Sequence, residues 1–426
     1  MTEDFLHYLW RFKKFNTLSL KTTSGEPVVI LQGGMVNTDA GPDFSDARIS
    51  IGEQLWAGNV EIHIRSSDWD RHAHQKDKAY TNVILHVVYE HDSEIKNANG
   101  HILPTLQLKG LFDEKLYWSY ERLLNNQTLI PCENHLAYTE ELIKENQVER
   151  SVIERLAGKS NTINGWLRQN QGDWNATFYQ WLGRGFGLKV NAEPMFMLAR
   201  AVPWQVVLKN HTRLEYLEAL FFGVAGMLDD PQDEYMELLA RDFQFLQHKY
   251  ELSVLDKHIW KYSRLRPAAF PTLRIAQLAA LLHEHETLFA KFIKAGTIDQ
   301  VREMLHPKVS GYWNSHYRFG VRTDTHTLGE VGKDFREVLI INVLIPFLFV
   351  YGMARDEPFY KQRAIDLLDQ MGPENNKITR MYQKLGFENT SAFHSQGLIQ
   401  LNSQHCKPKK CLNCAIGIDV LKKEND

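Results

Sequence analysis

Apolar residues follow two different periods along the chain, and the period changes near residue 110. Before that point, short apolar runs are separated by turn residues such as Gly33-Gly34, which is typical of β-strands. After it, apolar residues recur every three or four positions, as in amphipathic helices, first over 111–124 and 139–156. The predicted strands are Val28–Leu31, Ala47–Ile51, Val60–Ile64, Val83–Tyr89 and Ile102–Leu108. The pattern predicts an α+β domain over 1–110 and a larger, mostly helical domain over 111–426.

Two acidic residues stand at strand positions that an antiparallel pairing would bring together. Pro42 reads as part of a turn, so Asp43 begins the strand that follows. In the next strand, side chains alternate between the two faces of the sheet. Glu61 and His63 therefore point to one face, and Val60, Ile62 and Ile64 point to the other. One or two carboxylates, with waters and substrate oxygens, suffice to bind Mg²⁺. Asp43 and Glu61 are therefore candidate ligands of one divalent cation.

This arrangement, a Pro-Asp turn followed by an acid-x-base strand, resembles the PD-(D/E)XK nuclease superfamily over the first 110 residues. The resemblance implies a restriction-endonuclease-like mixed sheet flanked by helices, which hydrolyses phosphodiester bonds in DNA with Mg²⁺ or Mn²⁺. It implies that Asp43 and Glu61 hold the metal and that Glu3 supplies a further acid for the substrate site. His63 stands where that superfamily has a catalytic lysine. The whole chain also looks like an uncharacterised bacterial protein family, which brings no activity with it.

The histidine in the lysine position leaves two alternatives to a nuclease open. A neutral imidazole can orient water or bind a metal, but it brings no permanent charge to a transition state. The first alternative is a catalytically inactive nucleic-acid-binding protein that keeps a nuclease-like fold. The second is an unrelated hydrolase or a scaffold whose polar strand face is incidental.

A polar segment over 66–80 follows the Glu61 strand and contains further candidates for substrate binding. Ser67 stands at a possible helix start, and His72 and His74 follow it at two-residue spacing. On a helix these two histidines would diverge by about 200°, so one metal would not suit both. We therefore expect them to contact substrate phosphate or solvent. His86 interrupts an apolar strand and is interpreted as a hydrogen-bonded core histidine.

The cysteines predict a second metal site. Three of the four in the chain are Cys406, Cys411 and Cys414, spaced C-x4-C-x2-C. Zinc and iron-sulfur clusters both favour four soft ligands, and the fourth candidate is either Cys132 or His405. The segment 401–416 is similar to the cysteine loop of helix-hairpin-helix DNA glycosylases, with a shorter first gap and no fourth cysteine after the third. Zinc, an iron-sulfur cluster and unliganded reduced thiols all remain open.

Charge gives no general attraction for nucleic acid, since the formal net charge is −3 and the pI is near 6.7. Any DNA contact must come from local basic patches. Arg264, Arg266 and Arg274 alternate with aromatic residues, as phosphate clamps and base-stacking surfaces do, although such aromatics also suit a core.

The composition is that of a soluble protein, with 43% hydrophobic and 24% charged residues. The start of the chain is acidic where a signal peptide would be basic. The apolar run 338–351 contains Asn342 and Pro346 and is shorter than a membrane span, so it predicts a core helix. We expect a cytoplasmic protein without a membrane partner, and the oligomeric state is left open.

Overall fold

The computed structural model describes residues 1–37, 40–324 and 328–423, which form two compact units. The first comprises Met1–Gln147 and Leu401–Asp426, and the second comprises Val148–Gln400. The prediction of a mixed sheet with helices followed by a larger helical region is confirmed. The division predicted at residue 110 follows the change in secondary structure, whereas the first compact unit continues to Gln147 and includes the C-terminal segment.

The first unit contains a mixed sheet with the strand order β1-β2-β4-β5-β6-β7, and β3 pairs with β4 beside this path. The strands are β1 (Leu20–Lys21), β2 (Pro27–Gln32), β3 (Met35–Val36), β4 (Phe44–Ile51), β5 (Gln54–Arg65), β6 (Val83–Glu90) and β7 (Thr105–Gln107). The predicted strand 102–108 is shorter than expected. Pro104, just before β7, has no amide hydrogen to donate, and Ile102 is exposed.

β5 lies between an antiparallel neighbour and a parallel one. It pairs antiparallel with β4, in a register that sets Phe44 opposite Val60, and parallel with β6, in a register that sets Glu61 opposite His86. The segment between β5 and β6 makes the crossover that a parallel pair requires. Because the residues of β6 from Val83 to Val88 are all buried, the C-terminal half of β5 is held in the centre of the sheet.

The first helix, α1 (Glu3–Phe12), covers this part of the sheet. The Thr2 side chain accepts a hydrogen bond from the Phe5 amide and so caps the helix, and α1 packs on β5 with Phe5 and Leu6 fully buried. Residues 3 and 7 lie one turn apart on the helix, so the packing of α1 carries both toward the same region.

The remaining helices account for most of the second unit and for part of the first. They are α2 (Asp68–Arg71), α3 (Glu114–Asn125), α4 (Glu141–Ala157), α5 (Ser160–Gln169), α6 (Trp174–Phe186), α7 (Ala192–Ala201), α8 (Trp204–Asn210), α9 (Leu214–Val224), α10 (Glu234–Tyr250), α11 (Pro271–Glu284), α12 (Leu288–Lys294), α13 (Ile298–Met304), α14 (Lys333–Leu339), α15 (Ile345–Ala354), α16 (Pro358–Asp369), α17 (Lys377–Lys384), α18 (Ala392–Leu401) and α19 (Ala415–Lys423). A short hairpin of β8 (His316–Arg318) and β9 (Val321–Arg322) also belongs to the second unit.

The apolar run predicted as a short core helix belongs to a longer helical segment, Lys333–Ala354, of 22 residues. A π-helical turn over Ile340–Leu344 joins α14 to α15, so the helix continues through Asn342 and Pro346. Among the described residues, this segment alone is long and apolar enough to cross a membrane. Of its most apolar window, 67% is buried within the protein, as in the core helix of a soluble protein.

Gly58 allows β5 to pack closely against residues 82–84, where the crossover ends and β6 begins. A Cβ at this position would lie 2.5 Å from both the Asn82 carbonyl oxygen and Ile84 Cγ2. We expect Gly58→Val to lower the free energy of unfolding by about 1–3 kcal/mol, because β5 must shift to admit the side chain. Denaturant titration measures this change.

Gly165 provides the control for this substitution, because a Cβ there meets no atom within 4 Å. Gly165→Ala replaces a helical glycine in α5 and should be neutral or slightly stabilising. Equal stability of Gly58→Val and the wild-type chain would contradict the close approach.

Candidate metal centre

Asp43 and Glu61 lie side by side, as the sequence predicts. The antiparallel register that pairs Phe44 with Val60 places these two acids opposite each other. The Asp43 amide donates to Glu61 Oε2 at 3.1 Å, and the Ile62 amide donates to Asp43 Oδ2 at 2.9 Å. Each carboxylate therefore receives one hydrogen bond from the backbone of the neighbouring strand, which holds both side chains in place.

His63 shares a face of β5 with Glu61, but this face is buried and not solvated. The side chains of Glu61 and His63 are 6% and 3% exposed, and Glu61 Oε1 lies 3.6 Å from His63 Nε2. On its other side, His63 Nδ1 lies 2.8 Å from Nε2 of the fully buried His86. His86 is therefore a hydrogen-bonded core histidine, as predicted, and it orients the ring of His63.

The expectation that His72 and His74 diverge on a helix is wrong, because helix α2 ends at Arg71. The next residues form a turn in which Ala73 adopts a left-handed conformation with φ of 60°, and His74 begins a short 3-10 turn. This reversal returns both imidazoles to His63: His72 Nδ1 lies 3.1 Å from His63 Nε2, and the rings of His63 and His74 stack.

Three histidines have the spacing of a metal centre, and Glu61 lies next to two of them. One potential ligand nitrogen from each of His63, His72 and His74 lies within 4.8 Å of the other two. Glu61 Oε1 lies 3.4 Å from His74 Nε2 as well as 3.6 Å from His63 Nε2. A tetrahedral ion with bonds of ~2.1 Å has ligand atoms about 3.4 Å apart. The three imidazoles are therefore close enough to share one ion, and Glu61 lies beside two of them.

Imidazole ligands favour a different metal from the one expected from the sequence. Mg²⁺ prefers an octahedron of oxygen ligands, whereas neutral imidazole suits Zn²⁺ and other first-row transition metals. Binding of Mg²⁺ by Asp43 and Glu61 stays a prediction.

Three more residues border this cluster. His7 and Tyr80 were not predicted from the sequence, whereas Glu3 was. His7 of α1 places Nε2 3.3 Å from Asp43 Oδ2, and the Tyr80 ring stacks on His74 with centroids 3.9 Å apart. Glu3, the acid predicted from the first helix, interacts electrostatically with Asp43 and His72. His7 lies four residues after Glu3, and this one-turn spacing on a predicted helix is the signal that would have found it.

Burial sets the protonation states in the cluster. Burial, with the Asp43 charge, raises the pKa of Glu61 to about 8, although the Asp43 amide opposes the shift. Burial, with the neighbouring His74 and His72, lowers the pKa of His63 to about 4. Without a metal, a protonated Glu61 and a neutral His63 therefore coexist at neutral pH. Neutral imidazole is the form that binds a metal, whereas Glu61 must first release its proton.

The other predicted substrate contacts lie in different surroundings. The Ser67 hydroxyl donates to Asp92 Oδ2 at 2.7 Å. Arg264 and Arg266 are exposed, as a nucleic-acid contact requires. Arg274, however, is 8% exposed and stacks on Phe335 within the second unit. The expectation that Arg274 belongs to an exposed phosphate clamp is wrong, because its position in α11 faces the core.

The four cysteines are all buried and none is in a disulfide. Cys132 lies in the same compact unit as the other three, at the start of a 3-10 helix, Glu133–Tyr138. The three others lie in the connection from α18 to α19, and His405 is buried beside the first of them. Their predicted metal remains a prediction.

A family model described as "Protein of unknown function (DUF2851)" matches residues 3–377. The chain belongs to this family. The match leaves out residues 378–426, which contain the end of the second unit and the cysteine segment of the first. No curated protein and no solved structure gives a significant match. Membership of the DUF2851 family assigns no activity and no residue role, so the site has to be interpreted from its own geometry.

The first prediction for this DUF2851 protein concerns metal affinity. We expect the purified protein to bind one Zn²⁺ in the first unit, and His63→Ala or His74→Ala to weaken binding at least about 100-fold, because each removes a ligand. His86→Phe removes only the partner of His63 and should weaken binding roughly 10- to 100-fold. Competition against a chelator measures these affinities.

The exposed His101 supplies the control, since it lies in the same unit outside the cluster. His101→Ala should bind Zn²⁺ like the wild-type protein. Unchanged Zn²⁺ affinity in His63→Ala and His74→Ala would contradict a metal centre at these histidines.

A second prediction follows from the raised pKa of Glu61. Since Glu61 must lose a proton to bind a metal, Zn²⁺ affinity should rise by up to about tenfold per pH unit between pH 6 and 8 and level off above about 8. His63 is already neutral in this range and adds nothing to the slope. Glu61→Gln should bind more weakly and lose this part of the pH dependence. Chelator competition at several pH values tests it, and an unchanged slope in Glu61→Gln would contradict it.

Proposed function

We propose that this protein is a metal-dependent hydrolase of phosphodiester bonds, with its metal bound by His63, His72, His74 and Glu61. The observation that carries the proposal is the convergence of three imidazole nitrogens within 4.8 Å of one another, with Glu61 Oε1 within 3.6 Å of two of these histidines. Two of these side chains come from the centre of β5 and two from the turn after α2.

The exposure of the cluster favours a catalytic site over a structural one. A tetrahedral ion with four protein ligands is closed, so a catalytic ion here must take water or substrate as a fifth ligand, from an exposed side of the cluster. Here Glu61 and His63 are buried, but His72 is exposed, and the Asp43 side chain is 24% exposed. One side of the cluster is therefore fixed by the sheet and the other faces solvent.

The side chains around the ligands have separate tasks in such a reaction. A divalent ion bound here would supply a Lewis acid that polarises a phosphoryl oxygen and lowers the pKa of water. His86 orients His63, and the Ile62 amide orients Asp43. Asp43, next to the ligand Glu61 and in contact with His7, can accept a proton from an attacking water.

Two features support a phosphodiester as the substrate class. The first is the arrangement that resembles PD-(D/E)XK nucleases. Asp43 lies at the start of one strand, Glu61 lies on the next strand, and that strand pairs in parallel with β6. The second is positive charge near the cluster. Lys76 and Lys78 are exposed on the turns next to His74 and Tyr80, where they can contact the phosphates of a nucleic-acid backbone.

The test is hydrolysis by the full chain loaded with Zn²⁺, Mn²⁺ or Mg²⁺, on single- and double-stranded DNA, RNA and a chromogenic phosphodiester. We expect turnover that Glu61→Gln, His63→Ala and His72→Ala each reduce at least about 100-fold, because each loses a metal ligand. Asp43→Asn should retain metal and lose turnover. His101→Ala should match the wild-type chain.

The variants also distinguish the two possible metal sites. Activity that requires Mg²⁺ and survives His72→Ala would contradict the histidine centre and support the carboxylate pair Asp43 and Glu61 as the metal site. Equal turnover in the wild-type chain and in Glu61→Gln would contradict both sites.

A second candidate function is a nucleic-acid-binding protein without hydrolytic activity. It is favoured by the buried, neutral state of His63, which stands where the resembling nucleases have a charged lysine. Salt-sensitive DNA binding without turnover under all three metals would support this candidate and contradict the hydrolase.

A further inference from the structure

The second unit contains a cavity of about 380 Å³ between α6 and the helical segment that includes the π-helical turn. Trp181 and Arg184, three residues apart on α6, line one side of it together with Leu188. Val338 and Asn342 line the opposite side. Sites for small molecules typically enclose roughly 300–1,000 Å³. The cavity therefore has room for a small organic molecule.

The two sides of the cavity are fixed by direct packing of α6 on the π-helical turn. Trp181 Nε1 donates to the Val343 carbonyl oxygen at 3.0 Å. A Cβ at Gly185 would lie 2.4 Å from Val343 Cγ2, so the glycine allows the two segments to approach closely. π-helical turns within α-helices are rare and occur frequently at functional sites. This wall is formed before any molecule enters the cavity.

Leu188 lines the cavity in a strained conformation. Its φ is 51°, in the left-handed region that glycine favours, and its amide donates to the Gly185 carbonyl oxygen at the end of α6. The leucine side chain is nevertheless 37% exposed, so burial in the core does not explain the residue type. Strained residues cluster at binding sites, where the conformation presents a side chain to a bound molecule.

The charge on the cavity is positive. Among the described residues, those that line it include three cations, Lys159, Arg184 and Lys189, and no acid. Arg155 lies beside them, with Nη2 3.2 Å from Oδ1 of Asn342 on the cavity wall. Partial burial, with the charges of Arg155 and Arg184, lowers the pKa of Lys159. A bound anion would relieve this repulsion between like charges.

Helix ends explain only part of this charge. Arg184 lies in the last turn of α6 and Lys189 just after it, where cations stabilise the carbonyl end of a helix. Lys159, however, immediately precedes α5, and positive charge is unfavourable at the start of a helix. Its position is accounted for by the cavity that it lines and not by its own helix.

We propose that this cavity binds a small organic phosphate, namely a phosphate monoester with an aromatic or apolar body. Lys159, Arg184 and Lys189 donate to the phosphate oxygens, and the planar guanidinium can do so through two parallel hydrogen bonds. Leu188 and Val338 contact the body. The site belongs to the second unit, shares no residue with the histidine centre and does not rest on the proposed hydrolase.

The test is isothermal titration calorimetry of the full chain with adenosine monophosphate and with phenyl phosphate. We expect both to bind with a dissociation constant below about 1 mM. Adenosine and phenol, which lack the phosphate, and inorganic phosphate, which lacks the body, should each bind at least about tenfold more weakly. Lys159→Ala and Arg184→Ala should each weaken binding of adenosine monophosphate roughly tenfold, because each removes a hydrogen bond from a charged donor.

Three further variants separate the cavity from other causes. Val338→Trp fills the cavity without removing a charge and should abolish binding of both monoesters. Lys209→Ala removes an exposed lysine of the same unit outside the cavity and should bind like the wild-type chain. His63→Ala, which removes a ligand of the proposed hydrolase, should also bind adenosine monophosphate normally, so the two proposals fail independently.

Four results would overturn the proposal. The first is the absence of saturable binding of both monoesters to the wild-type chain. The second is binding that neither Lys159→Ala nor Arg184→Ala weakens, which would place the monoesters elsewhere. The third is inorganic phosphate bound as tightly as adenosine monophosphate, which would exclude a role for the apolar walls. The fourth is an oligonucleotide whose binding both variants weaken while neither monoester binds, which would assign these cations to nucleic acid.

Discussion

The arrangement of the candidate site depends on two hydrogen bonds that cross between β4 and β5. In them, a backbone amide of each strand donates to the carboxylate carried by the other strand, Asp43 to Glu61 and Ile62 to Asp43. A buried carboxylate without such donors would be costly, so these bonds make an acidic pair tolerable within a sheet. They also occupy Glu61 Oε2 and leave Oε1 facing His63 and His74.

Burial also sets the protonation states of the side chains held in these positions. The same desolvation that raises the pKa of Glu61 lowers that of His63, so the site holds a neutral acid next to a neutral base. A divalent ion would replace the proton of Glu61 without requiring any histidine of lowered pKa to change its charge. The cost of removing Glu61 and His63 from water is met when the sheet packs.

One strained residue completes the cluster. Ala73 adopts a left-handed conformation that a residue with a Cβ rarely takes, at a cost on the order of 1 kcal/mol or more. Without this turn, α2 would continue and carry His72 and His74 to different sides. A second left-handed residue, Lys409 with φ of 56°, lies in the connection between α18 and α19 that carries three of the four cysteines, and its side chain donates to the Asn126 carbonyl oxygen. The histidine cluster and the cysteines belong to the first compact unit, whereas the exposed Arg264 and Arg266 belong to the second.

The sequence by itself determined those features that depend on local periodicity. Alternation put Glu61 and His63 on one face, and the turn at Pro42 set Asp43 at the start of the strand that pairs beside them. The change of period near residue 110 indicated a strand-rich domain followed by helices. These predictions succeeded because strand and helix periods follow from backbone geometry alone.

Only the tertiary structure decided which distant side chains meet. His7 reaches Asp43 because α1 packs on β5, and His74 reaches His63 because a helix ends after one turn, although its sequence continues without a strong stop signal. Arg274 turned out to be buried, since the face that α11 presents to the core depends on its neighbours. Cys132 lies in the same compact unit as Cys406, Cys411 and Cys414, although more than 270 residues separate them along the chain. Such contacts arise from the burial of apolar faces by the whole chain, which no local pattern encodes.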